Sequence, residues 1–222
     1  MASARTRLVL SIGAVAGVGA LVTAATFTDF ANLNLGDGTD GGGIGSGRFN
    51  IQVVGTDGAG MPVPGTWQEA NLPEGVDIAV PGADSITPGT TIEVDLPYRN
   101  ASTSLGADID LWLKEVPGRT STPAYLDALR FTILDGTGAT LVSDVTFDEL
   151  DASTSAEKIS LTDALANAEL AAGAEDSITV QVSLADYDAD NDSGDADGLT
   201  NDVLNGGVAY VQLHWDAVST AE

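Results

Sequence analysis

His214 is the only histidine in this 222-residue chain, and there is no cysteine. Those two counts decide most of the available chemistry. A zinc-protease helix needs two histidines one turn apart with a glutamate between them, to hold the metal and activate water. A Ser-His-Asp triad would have to use His214, and no G-x-S-x-G nucleophile elbow accompanies it. Thiolate catalysis, thiolate metal sites and disulfides are all excluded. The Gly-rich run at 36–47 lacks the lysine and following helix of a phosphate loop. His214 falls on the outward phase of an alternating segment, which suits a surface or interface residue. The sequence therefore reads as that of a non-enzyme.

The other chemistry-bearing stretch is acidic. Residues 185–202 read ADYDADNDSGDADGLTND, with carboxylates at Asp186, Asp188, Asp190, Asp192, Asp195 and Asp197. Such hard oxygens suit Ca2+, which takes six to eight of them. The spacing does not match an EF-hand loop. With Gly198 in the sixth position, Leu204 stands where the bidentate glutamate belongs; with Gly194 there, Ala189 stands first. Two readings stay open: an irregular Ca2+ site, or a solvated acidic loop between two strands. No other cofactor is implied.

The elements around these residues read as strands. Polar and apolar residues alternate through 48–54, 90–98, 108–116, 177–184 and 207–218; further strands are read at 129–134 and 139–147. Residues 55–75 are rich in Gly and Pro and read as loop, and 76–80 is a short apolar segment. Thr122–Leu129 suits a short helix, and Ser160–Ala172 (SLTDALANAELAA) carries helix formers with Leu161, Leu165 and Ala168 on one side. About eight or nine strands with one-sided alternation predict a mainly β fold, an antiparallel β-sandwich or jelly roll with one or two short helices.

The amino end has a different character. Arg5 and Arg7 precede an uncharged apolar run from Leu8 to Ala25, which ends in small residues with Thr23 and Ala25 at the −3 and −1 positions of a plausible cut. This predicts a cleaved secretion signal over 1–25, and hence a secreted or cell-surface protein that keeps no membrane segment after cleavage. Cleavage would remove Arg5 and Arg7 and take the net charge from −25 to −27. Such a charge opposes binding to nucleic acid and to anionic lipid. The segment 26–35 shows strand alternation, with Ala31, Leu33 and Leu35 against Asn32 and Asn34. Residues 36–47, with seven glycines in twelve positions, form a loose tether to the body at 48–222.

Several of these residues carry a resemblance to one family. Leu10-Ser-Ile-Gly13, the Gly/Ala/Val-rich core after it and Ala25-Thr-Phe-Thr-Asp29 resemble the signals of the TasA/camelysin family, which a dedicated signal peptidase cuts. The segment 44–53 (IGSGRFNIQV) is similar to the family's first body strand. Residues 86–94 (ITPGTTIEV), followed by Tyr98-Arg-Asn100, resemble its Pro-Gly turn and the strand ending at an asparagine. The segment 206–217 resembles its closing strand, whereas residues 118–175 match poorly. The linker here is longer and the body far more acidic than the family pattern. The resemblance implies a jelly-roll subunit of extracellular biofilm-matrix filaments. Its partners would be copies of itself or a related subunit, joined by donor-strand complementation. Phe27, Phe30, Ala31, Leu33 and Leu35 would then carry the donor strand. A monomeric secreted module that binds Ca2+ or carbohydrate is the alternative.

Overall fold

The structure is a computed structural model that describes residues 49–151, 158–163, 165, 168–188 and 200–221. In chain order the strands are β1 (Ile51–Thr56), β2 (Pro62–Gln68), β3 (Thr91–Asn100), β4 (Leu105–Glu115), β5 (Leu129–Asp135), β6 (Thr140–Val145), β7 (Ile159–Ser160), β8 (Glu175–Leu184) and β9 (Val211–Ala221). Helix α1 (Pro123–Ala128) precedes β5, α2 (Phe147–Leu150) follows β6, and a 3-10 turn (Asn201–Leu204) lies before β9. Six strands form one sheet in the order β2-β1-β3-β8-β5-β6, and β7-β4-β9 form a second. All pairings between these strands are antiparallel. The two sheets pack face to face, so the antiparallel sandwich expected from one-sided alternation is the fold.

Period-2 alternation builds the core. β4 sends Ala107, Ile109, Leu111 and Leu113 inward, all 0% exposed. Leu96 and Tyr98 of β3, Phe131 and Ile133 of β5, and Ile178 and Val180 of β8 meet them from the six-stranded sheet. Each fully buried aliphatic or aromatic side chain contributes roughly 1.5–3 kcal/mol. Tyr98 also touches Trp215 of β9, with ring centroids 4.8 Å apart. Its hydroxyl donates to Asp176 Oδ2 at 3.1 Å. Burial first, and the Asp176 charge second, raise the Tyr98 pKa far above the ordinary phenol range, so the hydroxyl remains a donor.

Two local expectations are revised. The Gly/Pro-rich stretch contains β2, because Pro62 and Pro64 lie on a strand at the sheet edge, where a missing N–H breaks no interior ladder. The pairing shifts register between Val54 and Gly55. There a Cβ on Gly55 would stand 2.4 Å from Thr66 Oγ1, so the close approach requires glycine. The stretch 160–172 is not an α-helix among its described residues: Ser160 belongs to β7, Ala168 has φ +52°, and Leu170 forms a bridge with Ala107. Good helix formers yield to tertiary packing here, with Leu161 and Leu170 buried against the sandwich. The apolar segment 76–80 runs as irregular chain, joined to the β1–β2 turn by the Ala79 amide on the Gly60 carbonyl.

Candidate assembly edge

A strand at a sheet edge presents a row of N–H and C=O groups that another strand can pair. Of the four edge strands among the described residues, three are unsuited to this. β2 carries Pro62 and Pro64. β6 has two register shifts and Asp144 at φ +56°. β7 is two residues long. β9 differs: its 11 residues pair with β4 from Ala221 opposite Leu105 to Val211 opposite Glu115, with no break in register and no proline. Among the described residues, β4 is its only strand neighbour, and no further backbone hydrogen bond reaches Val211–Ala221.

Burial across the sheet shows the same openness. On the inner face Leu213, Trp215 and Ala217 stand opposite Leu113, Leu111 and Ile109. The β4 residues are fully buried, whereas Val211, Leu213, Trp215 and Ala217 are only partly covered. All residues from Val211 to Thr220 are half-buried, on both faces. The sandwich thus narrows from six strands to three and leaves the flank at β9 only partly covered, with the Pro73 carbonyl accepting from the Gln212 side chain at 3.4 Å at one end. An added strand would offer main-chain bonds to the edge and apolar side chains to that flank.

The outer face of the same sheet is polar and aromatic. Trp112 of β4 lies directly opposite His214, with ring centroids 5.3 Å apart, and Lys114 approaches Trp112 at 6.0 Å. The indole N–H of Trp112 is buried without an acceptor. Burial first and Lys114 second lower the His214 pKa, while Asp216 opposes them, so the ring is held neutral further into acid than usual. His214 is a half-buried outer-face residue, as its phase predicted. Asp110 stands directly opposite Asp216. Lys158 pairs with Asp110, and its pKa is raised by that hydrogen bond and by the charges of Asp110, Asp216 and Asp108. The Thr162 hydroxyl donates to Asp108 Oδ1 at 2.8 Å and accepts from the Ile109 amide at 3.3 Å.

Of the carboxylates singled out in the acidic loop, Asp186 and Asp188 are described; Asp190, Asp192, Asp195 and Asp197 lie outside the described residues. The two described ones form a clasp across the loop's base. Asn201 donates through its side chain to Asp186 Oδ1 at 2.8 Å and through its amide to Asp188 Oδ2 at 3.2 Å. Its own Oδ1 accepts from the Tyr187 amide at 3.0 Å. These carboxylates thus act on protein donors, and among the described residues no three His, Asp or Glu groups are placed to hold a metal ion. The amino-terminal candidates Ala25, Phe27, Phe30, Ala31, Leu33 and Leu35 also lie outside the described residues, as do the signal and the linker. No described helix is long and apolar enough to cross a membrane.

The importance of β9 as an edge escaped the sequence. Its alternation is the same as that of an interior strand, and only the pairing shows which side is open. The one sequence signal was comparative: β9 lacks the prolines that mark β2. Comparison with protein-family models and with curated proteins finds no match.

Proposed function

We propose that the mature chain is an exported structural subunit that assembles head to tail into extracellular, biofilm-matrix-type filaments. In this reading a dedicated signal peptidase cuts after Ala25. Residues 27–35 of one copy then add a strand to the β9 edge of the next, with Phe27, Ala31, Leu33 and Leu35 along one face of the donor and Phe30 on the other. The observation that carries the reading is the long β9 edge, proline-free and in unbroken register with β4, with its partly covered inner residues. Strand addition matches it in both respects: main-chain hydrogen bonds supply affinity and alternate side chains fill the apolar flank. A donor at one end of the chain and an acceptor elsewhere on the body give a heterologous contact that does not close, so the product is a filament. The motif resemblance of the signal and of the strand ends points the same way.

The test uses protein beginning at Thr26. Concentrated samples are expected to form filaments by electron microscopy, and deletion of residues 26–35 is expected to leave soluble monomer by sedimentation. A synthetic 26–35 peptide should bind the truncated body, and a Leu33→Asp peptide should not. Filaments that form equally well without residues 26–35 would refute the reading.

A further inference from the structure

We propose that residues 70–77 form a strap that closes one end of the β9 edge in the free subunit, and that this strap must swing aside before another strand can pair along the whole of β9. This rests on the reading of β9 as the acceptor above, and it adds how access to that edge is controlled.

The strap is pinned at both ends and lightly held between them. Before it, Glu69 accepts from Asn50 Nδ2 at 2.9 Å and from Gln52 Nε2 at 2.6 Å. After it, the Ala79 amide donates to the Gly60 carbonyl at 2.8 Å, and Ile78 packs against the core. Both anchors thus belong to β1 and its turn into β2, in the six-stranded sheet. The middle of the strap touches the other sheet: the Pro73 carbonyl accepts from Gln212 Nε2 of β9 at 3.4 Å. Gly75, at φ +69°, packs on the same side chain, where an added Cβ would stand 3.5 Å from Gln212 Cδ. The chain therefore crosses from the β2 edge to the β9 edge and returns. It passes on the free side of β9, because β4 fills the other side and the pairing there continues before β9 begins. The Val116 amide donates to the Tyr210 carbonyl at 3.0 Å, and the Thr122 amide to the Val208 carbonyl at 2.8 Å. An added strand would run about 4.8 Å from β9, so at Gln212 it would meet the strap. Little holds the strap there. Asn71 to Glu74 are exposed, with Leu72 71% exposed at the tip. The Gly75 amide bonds inside the strap, to the Leu72 carbonyl at 2.9 Å. Among the described residues, the exposed bond from Gln212 is the hydrogen bond that ties residues 70–77 to another strand. A segment with few buried contacts and exposed hydrogen bonds opens far more readily than the sandwich it lies on.

A disulfide that locks the strap tests this, and the chain has no cysteine of its own to interfere. An added Cβ at Gly75 would stand 3.9 Å from Gln212 Cγ, where a cysteine sulfur would sit, so Gly75→Cys with Gln212→Cys is within reach of a bond. Filament growth of protein beginning at Thr26 is followed by light scattering and electron microscopy, oxidised and reduced. Gly75→Cys alone controls for strain at its positive φ. The oxidised double variant is expected to stay monomeric where its reduced form assembles, and added reductant should restore growth. Gln212→Ala supplies a readout independent of the disulfide. Its side chain lies on the outer face, away from the half-covered inner residues. Growth is expected to speed up roughly three- to tenfold, as for the loss of one ordinary hydrogen bond that holds the strap shut. An oxidised double variant that assembles as fast as its reduced form would overturn the gate and leave the filament reading standing. Gln212→Ala growing no faster than wild type would overturn the gate as well. If wild type itself forms no filaments, the filament reading fails and the gate falls with it.

Discussion

Asn100 shows how much of the fold one side chain can hold. It ends β3 and is completely buried. Its Nδ2 donates to the Leu105 carbonyl at 2.7 Å and to the Leu170 carbonyl at 2.9 Å, while Oδ1 accepts from the Ser102 amide at 3.0 Å. Its backbone is tied to Ala174 and Gly173. One residue therefore joins the six-stranded sheet, the start of β4 and the approach to β8. Asn100→Ala would leave the buried Ser102 amide without its acceptor and remove a donor from the Leu105 and Leu170 carbonyls, of which Leu170 keeps the Ala107 amide. A loss of about 3 kcal/mol is expected, given roughly 1–3 kcal/mol for each orphaned group, read as a lower denaturant midpoint at unchanged slope. His214 gives a pH-dependent prediction. Its folded pKa is lowered, chiefly by burial, so between about pH 6.5 and the lowered folded value the unfolded chain binds more protons. The His214 contribution is then absent above that window and increasingly destabilising as pH falls through it. Thermal unfolding should show wild type losing stability relative to His214→Gln as pH falls below about 6.5, with the difference vanishing at pH 8. Asp135 and Glu149 are separable from this. Their pKa values are lowered, first by hydrogen bonds from the Thr137 side chain and from the Thr146 amide respectively, so their stabilisation is lost only as pH falls below the carboxylate range.

At the level of elements, the strands that pack on both sides were the most legible. β3, β4 and β8 alternate cleanly because each covers one face of the core along its whole length. β2 was hidden because its prolines read as loop, and an edge strand is where the backbone tolerates them. The stretch 160–172 was misread because helix propensity counts only local terms, whereas Leu161 and Leu170 are buried by contacts distant in sequence. Which edge is left unpaired was not legible, since openness is a property of pairing and not of one strand's pattern. This contrast between edges makes a prediction. If proline and bulges blunt β2 and β6, then Pro62→Thr together with Pro64→Thr should turn β2 into a second open edge. Light scattering should rise and microscopy should show laterally associated or branched aggregates in place of single filaments, while β9-dependent assembly persists. Filaments of unchanged width and length distribution would show that the prolines are not what blunts β2.

At the scale of the whole molecule, charge sets the conditions under which any contact between copies can form. Signal cleavage would leave a subunit of net charge −27. The outer face beside β9 adds to this locally: Asp110 and Asp216 stand opposite one another, and Lys158 is shared among Asp108, Asp110 and Asp216. Asp29 of an incoming segment would bring another negative charge to the same edge. The proposed strand addition would thus be favoured by hydrogen bonding and apolar burial and opposed by repulsion between like-charged bodies. The two contributions respond differently to salt. The screening length falls from about 10 Å at 0.1 M to about 3 Å at 1 M, which weakens the repulsion, and main-chain bonds and buried side chains are little affected. The critical concentration for filament formation is therefore expected to fall by roughly tenfold or more between 0.1 and 1 M NaCl, equivalent to about 1.4 kcal/mol per subunit added. The monomer's melting temperature should rise over the same range, because the same repulsion acts within the compact body. Asp216→Asn should reduce the salt dependence of assembly more than that of melting, since it removes one charge from the proposed joint. A critical concentration that rises with salt would mean that attraction between opposite charges holds the subunits together, which the acidic faces around β9 do not provide.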